Sequence, residues 1–453
     1  MTKQPDLLHR RLGTRQHERT NRRPRPRTTV GDLATALTDG SPPLRITAFD
    51  GTDVGPQDSD LRLHIASERG LRYLLSARGD LGMARAYLTG ELQVDGMHPA
   101  NPHPALWRLK REMRTRTPSP AELVHLLRGM RPSDFTSPPP PPQEGPPRWK
   151  RMLGGLQGSL GRSSASISHH YDVSNRFYEL LLGPSMTYTC AVYADEHESL
   201  EAAQERKYAL VAGKLALEPG MRLLDIGCGW GGMVRHAARG GVRALGVTLS
   251  AEQAAWAQAR IEAEGLADLA EVRHLDYRHA PREPFDAISS IGLTEHIGSN
   301  NYRAYFRELF SRLRPGGRLL NHCITRSGGS HRTRPEPFTD RYVFPDGELA
   351  PIGMILLAGA RAGFEVQHVE DLRMHYAQTL AAWGGNLERH WEECVAEAGE
   401  GTARVWGLYM AGSRIGFESN WFQLHQALLT RPNEDGSPGF PLRPDWEPTP
   451  SPG

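Results

Sequence analysis

The sequence predicts an α/β protein, a Rossmann-like doubly wound sheet preceded by a smaller mixed α+β unit. Three observations carry this. Short apolar strands alternate with helix-length segments between about residues 222 and 325, the pattern of parallel strands joined by crossover helices. A glycine-rich turn, Gly227, Gly229, Gly231 and Gly232, directly follows the first of those strands, where such sheets bind ligands. Five consecutive prolines, Pro138 to Pro142, separate two globular stretches and read as a stiff spacer.

Taken in order, residues 1–28 hold nine Lys/Arg against Asp6 and Glu18. They read as a solvated tail or, more sharply, as an electrostatic tether to anionic lipid or nucleic acid. Residues 29–131 form the smaller unit, with strand-like "LRITAFDG" and "DLRLHIAS" before helix-like "LRYLLSARGDLGMARAYLTGEL". In "ALWRLKREMRTR" (105–116), Leu106, Leu109 and Met113 share a helical face crowded by five basic residues; such a helix either packs normally or lies on a membrane. Residues 132–166 are the Pro/Gly-rich linker, 167–430 the main domain and 431–453, with seven prolines, a tail. Within the main domain Leu223, Leu224 and Ile226 make a short buried strand, and further strands are 242–250, 270–278 and 284–292. "LRPGGRLLNHCIT" (313–325) supplies a helix end, a turn and a fifth strand.

Composition narrows the function classes. Gly 47 and Pro 35 are in excess, hydrophobic residues make up 38% and mean hydropathy is −0.51. A net charge of +2 excludes a strongly basic polyanion binder on whole-chain arithmetic. Cys190, Cys228, Cys323 and Cys394 form no CxxC pair, which excludes a zinc ribbon or disulfide scaffold and suits a reducing cytosol. The best apolar run, Leu349 to Ala360, contains a proline and falls short of the roughly 18 residues of a spanning helix. No secretory signal is expected.

"MRLLDIGCGWGG" (221–232) names the cofactor class. Glycine lets a ligand approach the backbone closely, but such a loop alone is weak evidence. No P-loop lysine is present, and no GxGxxG with an acid in dinucleotide register. With "DYR" (276–278) and "RPGG" before the fifth strand, the chain resembles a class I S-adenosylmethionine methyltransferase, which implies a seven-stranded sheet. Where such proteins end the second strand in an acid, this one has "VTLSAEQ", so Thr248 and Gln253 would make neutral contacts. The expected cofactor residues are Tyr188, Thr189, Gly227, Gly229, Gly231, Thr248, Gln253, Asp276 and Tyr277.

Seven blocks in order sharpen this: "HHYDVSNRFYELLLGPSMTYTCAVY" (169–193), "LDIGCGWGG", "GVTLSAEQ", "DYR", "IGLTEHIG" (291–298), "NHCI" (321–324) and "HYAQTLAAW" (375–383). They resemble the cyclopropane-fatty-acyl-phospholipid synthase family, which includes mycolic acid cyclopropane synthases and enzymes making methyl- or methylene-branched chains. Residues 29–130 are similar to the extra N-terminal domain of its phospholipid-acting branch. The resemblance implies transfer of a sulfonium methyl to a cis double bond. The resulting carbocation then loses a proton to give a cyclopropane or a methylene branch. Aromatic faces can stabilise such a cation, and Tyr171, Phe177, Tyr188 and Tyr376 are candidates.

The resemblance also implies bicarbonate as the base, held by Cys190, Glu295, His322, Ile324 through its backbone, and Tyr376. His322 and Tyr376 can donate to an anion and Glu295 can tune its basicity. His296 reads as a structural neighbour, His169 and His170 as cofactor-orienting or capping residues. Ser413 stands where the family often has a cysteine, which disfavours a thiolate base. Expected partners are the phospholipid bilayer and a second copy of the chain, without nucleic acid; a methylene product would need a separate reductase. No metal is expected, and the location would be cytoplasmic, peripheral at the inner membrane. The rival readings are a small-molecule methyltransferase and a non-catalytic lipid- or nucleic-acid-binding protein of the same fold.

Overall fold

The computed structural model describes residues 27–146 apart from 40 and 78, residues 174–444 apart from 329–336 and 346, and residue 446. His169, His170 and Tyr171 therefore lie outside the described residues, as does nearly all of the basic tail.

The N-terminal unit runs α1 (Val30–Leu37), β1 (Arg45–Ala48), β2 (Asp53–Val54), β3 (Arg62–Ile65), α2 (Glu68–Ser76), α3 (Asp80–Leu88), β4 (Leu92–Asp95), α4 (His103–Glu112) and α5 (Pro120–Arg128). Its four strands lie in the order β2-β1-β3-β4, with β1 and β3 parallel. Val30, Ile65, Tyr73 and Leu92 are among the residues of its core. Capping boxes start two of the helices, Thr29 with Asp32 on α1 and Ser119 with Glu122 on α5, satisfying N–H groups that a helix start leaves orphaned. The basic helix is α4, shorter than 105–116, and its cations are engaged within the chain. Arg108 pairs with Asp60 and Glu112, and Lys110 lies over the Trp421 ring. His103 meets Glu418 at 2.8 Å. This helix is packed against the second unit.

The second unit continues with α6 (Asn175–Leu182), α7 (Leu200–Leu215), β5 (Arg222–Ile226), α8 (Gly232–Arg239), β6 (Arg243–Thr248), α9 (Ala251–Ala263), β7 (Ala270–His274), β8 (Phe285–Ile291), α10 (Thr294–Ile297), α11 (Tyr302–Arg312), β9 (Leu313–Arg326), α12 (Pro337–Tyr342), α13 (Ile352–Ala362), β10 (Glu365–Asp371), α14 (Arg373–Arg389), α15 (Trp391–Ala398), α16 (Glu400–Glu418) and β11 (Phe422–Thr430). Its seven strands are ordered β10-β11-β9-β8-β5-β6-β7. β5 is flanked by β6 on one side and β8 on the other, both parallel to it. Strand order reverses there, so the crevice at its C-terminal end is the expected ligand site.

Three details depart from the sequence reading. The fifth strand already begins at Leu313, with a register jump from Phe285↔Leu313 to Ala287↔Arg318 across "RPGG"; the predicted turn is a bulge inside the strand. The proline run is not a free spacer, because Tyr73 donates to the Pro139 carbonyl at 2.5 Å and Glu144 is buried between the two units. In the proline-rich tail, Phe440 and Trp446 pack onto the sheet unit's core, and Arg318 lies 5.0 Å above the Phe440 ring.

Candidate active site

A cavity of about 470 Å³ opens at the strand-order reversal. All nine predicted cofactor residues except Gly231 line it, together with Lys207, Asp225, Trp230 and His296. Gly227, Gly229 and Gly231 have φ of +72°, +53° and +74°, a left-handed region that side chains with Cβ resist. Gly231 acts one step back, fixing the turn from which α8 starts. A Cβ on Gly229 would have nothing within 4 Å, so a side chain there would enter the cavity. Gly229→Ala, which adds only a Cβ at some cost in backbone strain, is therefore expected to weaken S-adenosylmethionine binding by about tenfold, read by isothermal titration beside a thermal melt that reports the strain.

Thr248 donates to Gln253 Oε1 at 2.9 Å, which leaves the Gln253 amide N–H groups as the donors of that pair. Asp276 is held below the usual carboxylate range by Arg278, which donates to it at 2.6 Å. Two charged groups that the sequence reading missed also line the cavity. Lys207 is fully buried and donates to Thr189 Oγ1 at 3.0 Å, so the threonine proton is left for another acceptor. Burial pulls the Lys207 ammonium down to about 7 and pushes the Asp225 carboxyl up to about 6. Ser289 donates to Asp225 at 2.7 Å. Lys207 lies outside every motif block, and only its burial distinguishes it from other helix cations.

The second predicted set is not among the residues lining this cavity. Glu295 sits one helical position into α10, and its Oε1 accepts from the Ile324 N–H at 2.6 Å. The Ile324 N–H is thus engaged by this carboxylate, which leaves the Ile324 carbonyl as the backbone group that could face an anion. Its other oxygen, Oε2, is buried and has no hydrogen-bond partner among the described residues. Burial raises this carboxyl to about 7. His322, two residues before Ile324 on β9, is also buried and has an equally unpartnered Nε2. Burial, reinforced by Lys207 and Lys214, pushes its imidazole well below the usual range, so the ring is neutral.

Cys190 is fully buried, with its Sγ against the carbonyls of Ala191 at 3.1 Å and Leu372 at 3.9 Å. Burial drives the thiol far up, so it packs as a neutral group at the start of α14 rather than as a nucleophile. Tyr376, one turn on, packs tilted 4.6 Å from Phe417 and edge-on 6.1 Å from Trp383. Tyr188 reaches the same wall, 5.3 Å from Trp383 and 5.6 Å from Trp406. Phe177 is ordinary core, packed on Tyr178 and Trp406. Trp406 and Tyr409, which no motif singled out, join the aromatic wall because α16 crosses α14 at this point.

The sheet order, the glycine turn at its switch point and this cavity define a class I S-adenosylmethionine-dependent methyltransferase. Residues 159–427 match the family model described as mycolic acid cyclopropane synthetase, and the chain belongs to that family. It is 54% identical over 409 residues to a probable fatty acid methyltransferase of Mycobacterium tuberculosis, covering 90% of this chain and 96% of that protein. To the cyclopropane-fatty-acyl-phospholipid synthase of Escherichia coli K12 it is 35% identical over 270 residues, 59% of this chain and 68% of that one. The solved mycolic acid cyclopropane synthase CmaA1, complexed with SAH and CTAB, superposes with a TM-score of 0.55 at 33% identity, over 59% of this chain and 97% of that chain.

Proposed function

We propose that this enzyme transfers the methyl group of S-adenosylmethionine to the cis double bond of an unsaturated acyl chain in a membrane phospholipid. The product is a cyclopropane or methylene-branched chain. The bound cofactor supplies an electrophilic methyl group, and bicarbonate, as the base, would accept a proton from the substrate carbocation. The observation that carries this reading is that Glu295 Oε2 and His322 Nε2 are each buried without a hydrogen-bond partner among the described residues. Buried polar groups ordinarily have a protein, water or ion partner, and a hydrogencarbonate ion has both the acceptors and the hydroxyl donor that these two require. Tyr188, Tyr376, Trp383 and Trp406 provide π-faces that stabilise a cation and exclude water.

A bilayer substrate fits the N-terminal unit. Leu123, Val124 and Leu127 of α5 are each nearly half exposed. Thr28, where the nine-cation segment meets the described fold, bonds Gly129 and Leu126 at the end of that helix. Apolar anchors beside a basic segment suit an anionic surface. Among the described residues no helix is long and apolar enough to cross a membrane.

The test is incubation with labelled S-adenosylmethionine and dioleoyl vesicles, phosphatidylglycerol against phosphatidylcholine, followed by mass spectrometry of the acyl chains. A gain of one CH2 per modified chain, faster on the anionic vesicles, is expected. Mild hydrogenation separates ring from alkene. Cofactor binding without any acyl mass gain would overturn the reading.

A further inference from the structure

Two buried groups beside the site belong neither to the cofactor set nor to the anion set. Lys214 follows Lys207 by seven residues on α7, so both ammonium groups leave the same helix face, and both side chains are fully buried. Gln426 is also fully buried and is the direct cross-strand partner of His322 in the β9–β11 ladder.

Lys214 Nζ lies 2.7 Å from Gln426 Oε1 and also bonds Glu370. Gln426 Nε2 lies 3.2 Å from His322 Nδ1. An ammonium has protons to donate and no lone pair, so the amide oxygen must be the atom that faces Lys214. The reversed amide would set two donors against each other. Its NH2 is therefore the end that faces the imidazole, and Nδ1 must accept. A neutral imidazole that accepts at Nδ1 carries its proton on Nε2.

We infer that Lys214 and Gln426 are positioning residues that lock His322 in the Nε2–H tautomer, so that the site receives a hydrogen-bond donor at that atom. This rests on the anion-binding reading of the Glu295–His322 pair, and it adds the reason His322 donates rather than accepts. Without the relay, a neutral histidine has two tautomers of similar energy, and one of them turns a lone pair toward the anion.

Gln426→Glu tests this with little change of shape. A glutamate would accept from Lys214 on one oxygen and from His322 Nδ1–H on the other, which reverses the tautomer. In 15N-histidine-labelled protein, the expected result is a protonated Nε2 for His322 in the wild type and a protonated Nδ1 in the variant, assigned against His322→Gln. Turnover should fall by about 100-fold or more, the scale of a wrongly set tautomer, while affinity for S-adenosylmethionine changes less than twofold. Lys214→Met, which frees the amide to rotate, should give a mixture of the two tautomers and an intermediate rate. A wild-type ring protonated at Nδ1, or a Gln426→Glu ring still protonated at Nε2, would overturn the inference. So would unchanged turnover in a variant whose tautomer has switched. The spectrum does not depend on turnover, so failure of the acyl-transfer reading would appear separately, as absence of product from wild-type protein.

Discussion

Glu295→Gln is expected to reduce acyl modification by a factor of about 100 to 10,000, the usual range for losing a positioned acid–base group, and to raise the thermal midpoint at pH 8. The two effects share one cause. The wild-type carboxyl is tied at Oε1 to the Ile324 N–H and left bare at Oε2, in a site whose burial lifts it from 4.5 to about 7. A glutamine keeps the Oε1 contact but replaces the bare acceptor with an NH2 that cannot ionise. Because the folded state holds this proton more tightly than the unfolded chain, wild-type stability falls as pH rises from about 4.5 through about 7. That rise corresponds to a loss on the order of 3 kcal/mol above the folded value, which the amide does not suffer. The measurements are product mass spectrometry and thermal melts of both proteins from pH 5 to 8. Glutamine should open a stability advantage as pH rises and close it as pH falls toward 4.5. An inactive variant that also melted lower at pH 8 would refute this account and would indicate a structural role for the carboxylate.

The parts of the molecule that were legible in the sequence are those where one residue type has one physical use. Glycines at 227, 229 and 231 announce positive φ beside a ligand, and the alternation of strands and helices gives the sheet and its switch point. Glu295 and His322 were legible only through their motif blocks, since either side chain alone could be a solvated surface group. Lys207, Lys214 and Gln426 were not legible. A lysine at helical spacing ordinarily reads as a solvated face, and its burial depends on which strands meet the helix two hundred residues later. The bulge across "RPGG" was missed because Pro and Gly signal a turn whether the chain stops a strand or only kinks within one. The docking of the proline run was not legible for a related reason. Proline predicts extension but says nothing about whether the extended chain floats or docks, and here docking is decided by Glu144.

Glu144→Ala is expected to destabilise the assembled protein by about 3–5 kcal/mol, the cost of leaving buried cations without their anion. The Glu144 side chain is 1% exposed and accepts from Arg85 of the N-terminal unit through Nε and Nη2, both at 2.7 Å. On its other side it meets Arg341 of α12 at 2.8 Å and the Tyr342 hydroxyl at 3.1 Å. One carboxylate therefore neutralises an arginine from each unit, and its loss sets two guanidinium groups against each other across the junction. The consequence reaches the site, because α12 also places Phe338 in the aromatic core that contains Tyr376 and Trp383. Acyl turnover should drop with the melting point, while S-adenosylmethionine affinity, set by the glycine turn at the end of the internal strand β5, stays within about twofold. The control is the triple substitution of Arg85, Glu144 and Arg341 by methionine, which removes every buried charge of the cluster together. Such replacements are often neutral or stabilising, so the triple variant should recover most of the lost stability. Denaturant unfolding of the three proteins decides the matter. A triple variant no more stable than Glu144→Ala would show that the cluster works by shape and hydrogen-bond geometry rather than by charge balance.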